Sequence, residues 1–438
     1  MSNMIVELSK YFMIIFIAFY TLHCFTVFRY ANEEERNGFY IGQNILMFLI
    51  HFTGYVVLCF QTSDYSLIIF YGIQQIMLFA VILLYRVLYP ESNRLIINNM
   101  CLLLSVSFII LTRLSYDKSI KQFKIVIISL IISLIIPYFV SKLRAIKKMT
   151  WIYGGVGLFA LTAVMVLGSV TYGSKISFSL FGFTFQPSEF VKIIFVFFIA
   201  GMLTESTTIY QVIATTIMAG AHVVVLVLSK DLGSALIFFV VYVVMIYVGT
   251  KKPIYLLAGI GAGAGGAVLG YHLFSHVRTR VIAWRDPFQV IEGQGYQITQ
   301  SLFAIGTGGW FGMGLYQGSP EKIPVVEADF IFSAISEEMG CLFSLCLILI
   351  CISNYLMFMN IAMKMKDVFY RLIAVGLATI YGFQMFLTIG GVTKFIPLTG
   401  VTLPLVSYGG TSVITTLIMF SIIQGIYILR HEETVGVE

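Results

Sequence analysis

Charge is what this chain has least of. Lys, Arg, Asp and Glu together make up 11% of its 438 residues, where a soluble domain carries about 25%. That excludes an ordinary soluble enzyme. The net charge of +6 does not point to nucleic acid and reads as loop charge that sets membrane orientation. Disulfide and metal-binding patterns are missing too. The six cysteines (Cys24, Cys59, Cys101, Cys341, Cys346, Cys351) lie in apolar stretches without CxxC spacing, so neither a disulfide framework nor a metal site follows. The opening "MSNMIVELSKYFMIIF" lacks a basic n-region and a small-residue cleavage site, so a removed signal peptide is not expected.

What fills the chain instead is apolar. It is 59% hydrophobic, with a mean hydropathy of +0.93. About 20 consecutive apolar residues cross a bilayer, and such runs recur about thirteen times. They fall near 11–29, 40–60, 67–89, 96–113, 123–142, 151–171, 186–204, 210–228, 231–249, 254–273, 330–357, 371–390 and 406–429. The fold class expected is an all-α polytopic membrane protein. Basic residues gather in alternate loops: Arg29 and Arg36; Arg94; Arg144, Lys147 and Lys148; Lys251 and Lys252; Lys364, Lys366 and Arg371; Arg430. The positive-inside rule places these in the cytoplasm. An odd span count then puts the N-terminus outside and the C-terminus inside. Lys118 and Lys121, in a loop assigned to the outside, run against the scheme. "RYANEEERNG" between the first two spans reads as a solvated cytoplasmic turn.

One loop stands apart. Residues 275–329 separate the tenth and eleventh spans on the outer face, and connections this long are usually functional or disordered. This one holds Trp284, Phe288, Tyr296, Phe303, Trp310 and Tyr316, a composition that folds. Within it "GYQITQSLFAIGTGG" predicts a short amphipathic helix ending at Gly306, folded back onto the membrane surface. "GIGAGAGG" (Gly259–Gly266) contains GxGxxG, but no strand precedes it and it lies inside a span. Close helix packing by small residues is the expectation, not dinucleotide binding.

Ionisable groups inside spans cost a few kcal/mol on insertion scales and mark function or a paired structure. In "QPSEFVKI", Glu189 and Lys192 sit three apart on one helix face, spaced for a mutual salt bridge that a substrate-facing role does not preclude. Asp231 in "SKDLGSALIFF" stands where a helix N-cap belongs, or in the outer cavity. Lys230 beside it suits an anionic ligand or a snorkelling position. Arg278, Arg280 and Arg285 in "HVRTRVIAWRDP" suit lipid headgroups in general or bidentate phosphate binding. "IPVVEADFIFSAISEEMG" carries four carboxylates, Glu327, Asp329, Glu337 and Glu338, at the mouth of a span. Asp329 alone reads as a cap; the cluster reads as a general base, a divalent-cation site or both. A transporter with an acidic coupling site fits the same residues.

Five ordered stretches, "GFTFQPSEFVKI", "DLGSALIFF", "RDPFQVIEGQGYQITQSLFAIGTGGWFGMGL", "ADFIFSAISEEMG" and "PLTGVTLPLVSYGGTSVITT", resemble the SEDS proteins (shape, elongation, division and sporulation), the FtsW/RodA/SpoVE family. The resemblance covers roughly residues 96–430. It implies a ten-helix core (91–438) with a catalytic extracellular loop at 275–329, preceded by about three extra transmembrane helices (1–90). It also implies a peptidoglycan glycosyltransferase of the bacterial cytoplasmic membrane, polymerising lipid II on the outer face beside a class B penicillin-binding protein. The rival from another class is a lipid II flippase or transporter; a third reading is a scaffold that recruits a transpeptidase. Asp329 of the DFIF motif carries over as the family's essential Asp, expected to assist the acceptor hydroxyl as a base, with Glu327 as helper. Glu189 and Lys192 carry over as a structural or regulatory pair. Asp231, Lys230, Arg278, Arg280, Gln297, Gln300 and Ser301 are expected to contact substrate along the lipid II groove. A Mg²⁺ or Mn²⁺ ion is expected at the leaving pyrophosphate, its ligands unassigned, and no organic cofactor. Two motifs depart from the family pattern. The usual Glu, His and Thr before the motif's Asp are Val325, Glu327 and Ala328 here, and the usual QPD reads Ser229-Lys230-Asp231.

Overall fold

The computed structural model describes residues 2–435 except 31, 143–146, 172–173 and 181–182. Arg144, one of the loop cations above, and Ala31 of the charged turn fall outside the described residues. Fifteen α-helices run in the order α1 (Ser2–Thr26), α2 (Glu33–Thr62), α3 (Ser66–Leu88), α4 (Arg94–Leu114), α5 (Tyr116–Lys142), α6 (Thr150–Leu167), α7 (Pro187–Glu205), α8 (Ile209–Leu228), α9 (Leu232–Thr250), α10 (Pro253–Leu273), α11 (Ser275–Arg285), α12 (Tyr296–Gly308), α13 (Ile331–Lys364), α14 (Val368–Val392) and α15 (Gly410–Val435). Thirteen of them are long and apolar enough to cross a membrane, the number the hydropathy pattern predicts. Their boundaries follow local chemistry. Asn93, Asp231 and Asp367 accept N-terminal backbone N–H groups of α4, α9 and α14, and prolines open α7 and α10, where a missing N–H costs nothing.

The sixth span ends at Leu167, earlier than expected. Gly168 takes extended backbone, and three short antiparallel strands follow: β1 (Ser169–Thr171), β2 (Ser174–Leu180) and β3 (Phe183–Phe185), in the order β1-β2-β3. Val170 pairs with Lys175 and Ser179 with Thr184. The period there is 2, not 3.6, because "SVT" and "SKISFSL" alternate small polar with apolar residues. Thr411 ties this hairpin to the start of α15 by donating to the Thr184 carbonyl at 3.0 Å and accepting from Gln186 N–H at 3.2 Å.

α4 is the axis of the molecule: every residue from Leu95 to Thr112 is buried. Asn99 is its polar hub. It accepts from Tyr20 of α1 (3.0 Å) and donates to Ser353 (2.9 Å) and Asn354 (3.0 Å) of α13. The three first helices thus wrap a helix that lies against the rest of the bundle, and interhelical side-chain bonds hold them where lipid offers no alternative partner. At the other extreme, α10 buries no residue. Gly259 and Gly263 meet Val243 and Phe239 of α9, whereas Gly261, Gly265 and Gly266 meet nothing. The small-residue packing expected of this run is therefore real on one face only.

The long connection packs on the bundle and holds two helices, α11 and α12, where one was expected. α12 ends at Gly308, two residues beyond the expected Gly306, and Gly309 leaves it at φ +54°.

Candidate functional site

α13 breaks where it carries its acidic pair. Gly340 sits at φ +90°, ψ 166°, outside the helical region and open only to glycine without strain. The loop after α12 fills the gap. Met313 and Gly314 donate to the carbonyls of Glu337 and Glu338 (2.9 and 2.8 Å), and Cys341 and Leu342 donate to Gly309 and Trp310 (2.9 and 3.2 Å). The approach needs glycine: a Cβ on Gly312 would stand 2.4 Å from the Glu338 carbonyl oxygen, and one on Gly308 would stand 2.1 Å from that of Ser336. "GTGGWFGMG" and "EEMG" are two halves of one joint.

The four carboxylates expected as one cluster are split four ways. Glu338 pairs with Arg113 of α4 (2.8 Å) and accepts from Tyr316 N–H (3.2 Å). Glu337 accepts from Ser319 N–H (2.9 Å). Arg113 also lies over the Tyr316 ring, 4.4 Å from its centroid. Glu327 is held by an ion pair with Lys118. Lys118 ran against the charge rule in the sequence, and this carboxylate is its reason for being there. Asp329 makes no ion pair among the described residues; Arg280 of α11 is the cation whose charge acts on it.

Asp329 and Arg280 both sit beneath the loop that follows α14. Arg280 donates to the Thr399 carbonyl at 3.1 Å. A Cβ on Gly400 would make ordinary contact at 3.6 Å from Asp329 Oδ2 and 3.8 Å from Arg280 Nη2, which places both groups against this residue; its backbone at φ +73° is what favours glycine. Burial, opposed by Arg280 and aided by the Glu327 charge, pushes the Asp329 carboxyl up to about 6. Arg280 is lowered by burial and held up by Asp329 and Asp231. Asp231 caps α9 as expected, its Oδ1 accepting from Ser234 N–H (3.1 Å). Its other oxygen accepts from Gln186 (3.3 Å) and Ser188 (3.2 Å) of the QPSE stretch. Burial raises the Asp231 carboxyl. Two buried polar atoms beside this centre, Thr399 Oγ1 and His276 Nε2, have no hydrogen-bond partner, which buried polar groups seldom tolerate without a ligand or water. Backbone strain gathers on the same face: Lys230, Tyr316, Val325, Lys394 and Leu405 all have φ between +59° and +65°. A β-branched residue such as Val325 is an outlier there.

Below the centre, Glu189 and Lys192 form the expected pair at 2.7 Å. Lys192 also donates to Gln384 of α14 (2.8 Å), and Glu189 accepts from Thr415 of α15 (3.0 Å). Gln384 reaches on to the Thr402 carbonyl (3.0 Å). One network therefore connects three helices to the loop over Asp329.

Other expected contacts separate from the centre. Arg278 is exposed and lies over the Tyr271 ring, and Arg285 is exposed. Ser301 is fully buried, its hydroxyl bonded to Ser333 (2.7 Å) and the Val392 carbonyl (2.8 Å); it pins α12 to α13 and α14 and has nothing left for a ligand. Gln297 and Gln300 are half-buried and make no hydrogen bond among the described residues. Nor do the described residues bring three His, Cys, Asp or Glu side chains together as a metal site. Asp329 and Asp231 are the carboxylates whose charge acts on Arg280, and a divalent ion held there would take one or two of them together with substrate phosphates. Arg113, His276 and Thr399 went unread in the sequence. Only the misplaced charge of Lys118 gave a signal there.

The comparisons with known proteins agree with this architecture. The FtsW/RodA/SpoVE family model, described as "Cell cycle protein", matches residues 92–432, beginning where α1–α3 end. The chain is 34% identical over 307 residues to a protein named peptidoglycan glycosyltransferase RodA from Mycobacterium tuberculosis, covering 66% of each chain. It is 31% identical over 281 residues to stage V sporulation protein E of Bacillus subtilis, covering 61% of this chain and 75% of that one. The chain thus spans about two thirds of the mycobacterial relative's length. Its fold matches a chain of a peptidoglycan synthase complex with a TM-score of 0.66 and 25% identity, over 78% of this chain and 99% of that one. It matches Thermus thermophilus RodA with a TM-score of 0.59 and 22% identity, over 77% and 96%, a likeness of fold alone. With thirteen spans and a family match over most of its length, this multi-pass membrane protein belongs to the FtsW/RodA/SpoVE family of cell cycle proteins.

Proposed function

We propose that the protein is a glycosyltransferase that polymerises lipid II into glycan strands on the outer face of the bacterial cytoplasmic membrane. The observation that carries the proposal is the buried Asp329 carboxylate and the Arg280 guanidinium together under Gly400, with buried unpartnered polar atoms beside them. The names of the relatives, peptidoglycan glycosyltransferases among them, support the reaction class.

A sugar hydroxyl is a weak nucleophile and gains from a carboxylate that takes its proton as the bond forms. Asp329 fills that role, with an ionisation raised toward the working pH. The acceptor oxygen attacks the anomeric carbon, the bond to the pyrophosphate breaks, and one displacement inverts the centre. Arg280 supplies positive charge for the departing oxyanion, as a fork that fits phosphate oxygens. Glu327, tied to Lys118, tunes Asp329 by its charge and takes no proton from substrate. The three-helix network under the centre holds the loop over Asp329 in place. The partner is a class B penicillin-binding protein, and a synthase complex that coordinates polymerization and crosslinking supports that pairing. The basic loops face the cytoplasm, with the C-terminus inside and the N-terminus outside.

The test is polymerisation of fluorescent lipid II by the purified protein with its transpeptidase partner, comparing wild type with Asp329→Ala. Polymer from wild type alone, with the variant folded and still partner-bound, is expected. Polymer from neither would transfer the reading to lipid transport. Equal polymer from both would remove Asp329 from the chemistry.

A further inference from the structure

Asp329 and Arg280 account for the charge used in the centre, but two neutral groups beside them are left over. Thr399 Oγ1 and His276 Nε2 are buried and make no hydrogen bond. Both belong to the surroundings of Arg280. His276 stands one turn before Arg280 on α11, and positions four apart share a helix face. Arg280 donates to the Thr399 carbonyl at 3.1 Å. The first turn of α9 closes on Thr399 as well: a Cβ on Gly233 would stand 3.0 Å from the Thr399 carbonyl oxygen and 3.6 Å from Thr399 Cβ. Helix and guanidinium thus fix the Thr399 backbone, while its hydroxyl bonds to nothing.

His276 is half-buried as a residue, and Nε2 is the ring atom enclosed. The Phe274 ring lies against it, 5.6 Å between centroids. Burial lowers its pKa, and the charges of Arg280 and Lys230 lower it further, so the ring is neutral at neutral pH. A neutral imidazole nitrogen donates or accepts according to its tautomer, and a hydroxyl does both. Phosphate oxygens only accept, and cations match them. The two orphaned atoms therefore suit a different kind of ligand group from the one Arg280 suits: a neutral one that itself donates and accepts.

We propose that His276 and Thr399 form a neutral subsite that binds a hydroxyl or amide group of the sugar attached to the pyrophosphate. The inference rests on the reading of the centre as a glycosyl-transfer site and adds the residues that recognise the sugar. Arg280 holds any polyprenyl pyrophosphate by its charge. The neutral pair distinguishes a pyrophosphate that carries a sugar from one that has lost it, because only the first satisfies the two buried atoms. Substrate is thereby favoured over the leaving group that remains after transfer.

The full-length protein carrying Asp329→Asn, which blocks turnover, is titrated with lipid II and separately with undecaprenyl pyrophosphate, the same lipid and leaving group without the sugar. Bound ligand is read by native mass spectrometry. The added variants are His276→Leu, Thr399→Val, Thr399→Ser and Arg280→Gln. His276→Leu and Thr399→Val each lose a neutral hydrogen bond, and each is expected to weaken lipid II binding about three- to tenfold. Both are expected to bind undecaprenyl pyrophosphate as their parent does, which also reports a folded site. Thr399→Ser keeps the hydroxyl and binds lipid II as the parent does, and Arg280→Gln weakens both ligands. With Asp329 restored, His276→Leu and Thr399→Val are expected to raise the KM for lipid II. Equal weakening of the two ligands assigns the residues to the pyrophosphate, and lipid II binding untouched in both variants leaves the two atoms to water; either result overturns the proposal, as does a parent that binds no lipid II. Absence of polymer from wild type counts against the reaction, whereas the subsite is decided by the binding series alone.

Discussion

At the scale of residues, the site is a carboxylate whose ionisation is set by burial against one guanidinium. Asp329→Asn keeps shape and removes the base, so polymerisation by a folded variant is expected to fall about 10²- to 10⁴-fold, measured as lipid II turnover. The raised carboxyl fixes the pH dependence. Below about 6 Asp329 is protonated, so the rate declines on the acid side with a midpoint near that value, an arm that Asp329→Asn lacks. The same shift opposes folding once the group ionises. Its contribution to stability is full below the ordinary 3.8 and is lost as pH rises through about 6. Deeper in, Lys192→Met leaves Glu189 buried without its cation, and a loss of about 3–5 kcal/mol is expected in unfolding measurements. Much of this was legible beforehand. The three-residue spacing of Glu189 and Lys192 and the capping position of Asp231 are local facts, and local facts survive folding. The choice of Arg280 over Arg278 was not legible. Two arginines two places apart on one helix point different ways, and only the loop carrying Thr399 and Gly400, over a hundred residues later, distinguishes them.

Among elements, the joint in α13 decides where Asp329 stands. The segment that carries it leads straight into Ile331, and the short helical stretch from there to Gly340 is held by the loop after α12. Gly340→Ala places a Cβ 2.4 Å from Gly312 N on a backbone at φ +90°. The strain is about 1–3 kcal/mol before the clash is counted. A lowered unfolding temperature together with lost polymerisation is expected, whereas Gly266→Ala, which meets nothing on α10, leaves both unchanged. The sequence displayed every glycine of this joint and its two acids, but periodicity carried the eleventh span straight through Gly340. Hydropathy does not register a break whose hydrogen bonds are restored by another segment. The β-hairpin was missed for a related reason: three strands of three to seven residues give a shorter signal than the span they adjoin.

For the whole molecule, composition was enough to give the class and the number of spans, because each span must satisfy its own backbone in lipid. Packing was not legible, since its bonds run between residues far apart in the chain, such as Asn93 with Gln424 and Gln122 with Ser407. Deleting residues 1–92 removes the cover from α4, and a truncated protein that aggregates on size-exclusion chromatography is expected. The total burial of α4 also sets an order in time. This helix emerges early in synthesis, and two of the partners of Asn99, Ser353 and Asn354, are made more than 250 residues later. Until α13 is inserted, Asn99 waits among the first helices with only Tyr20 and Cys24 in reach. The N-terminal bundle is then a holding structure for an unfinished core, and a ribosome stalled before α13 releases a chain that membrane quality control should recognise.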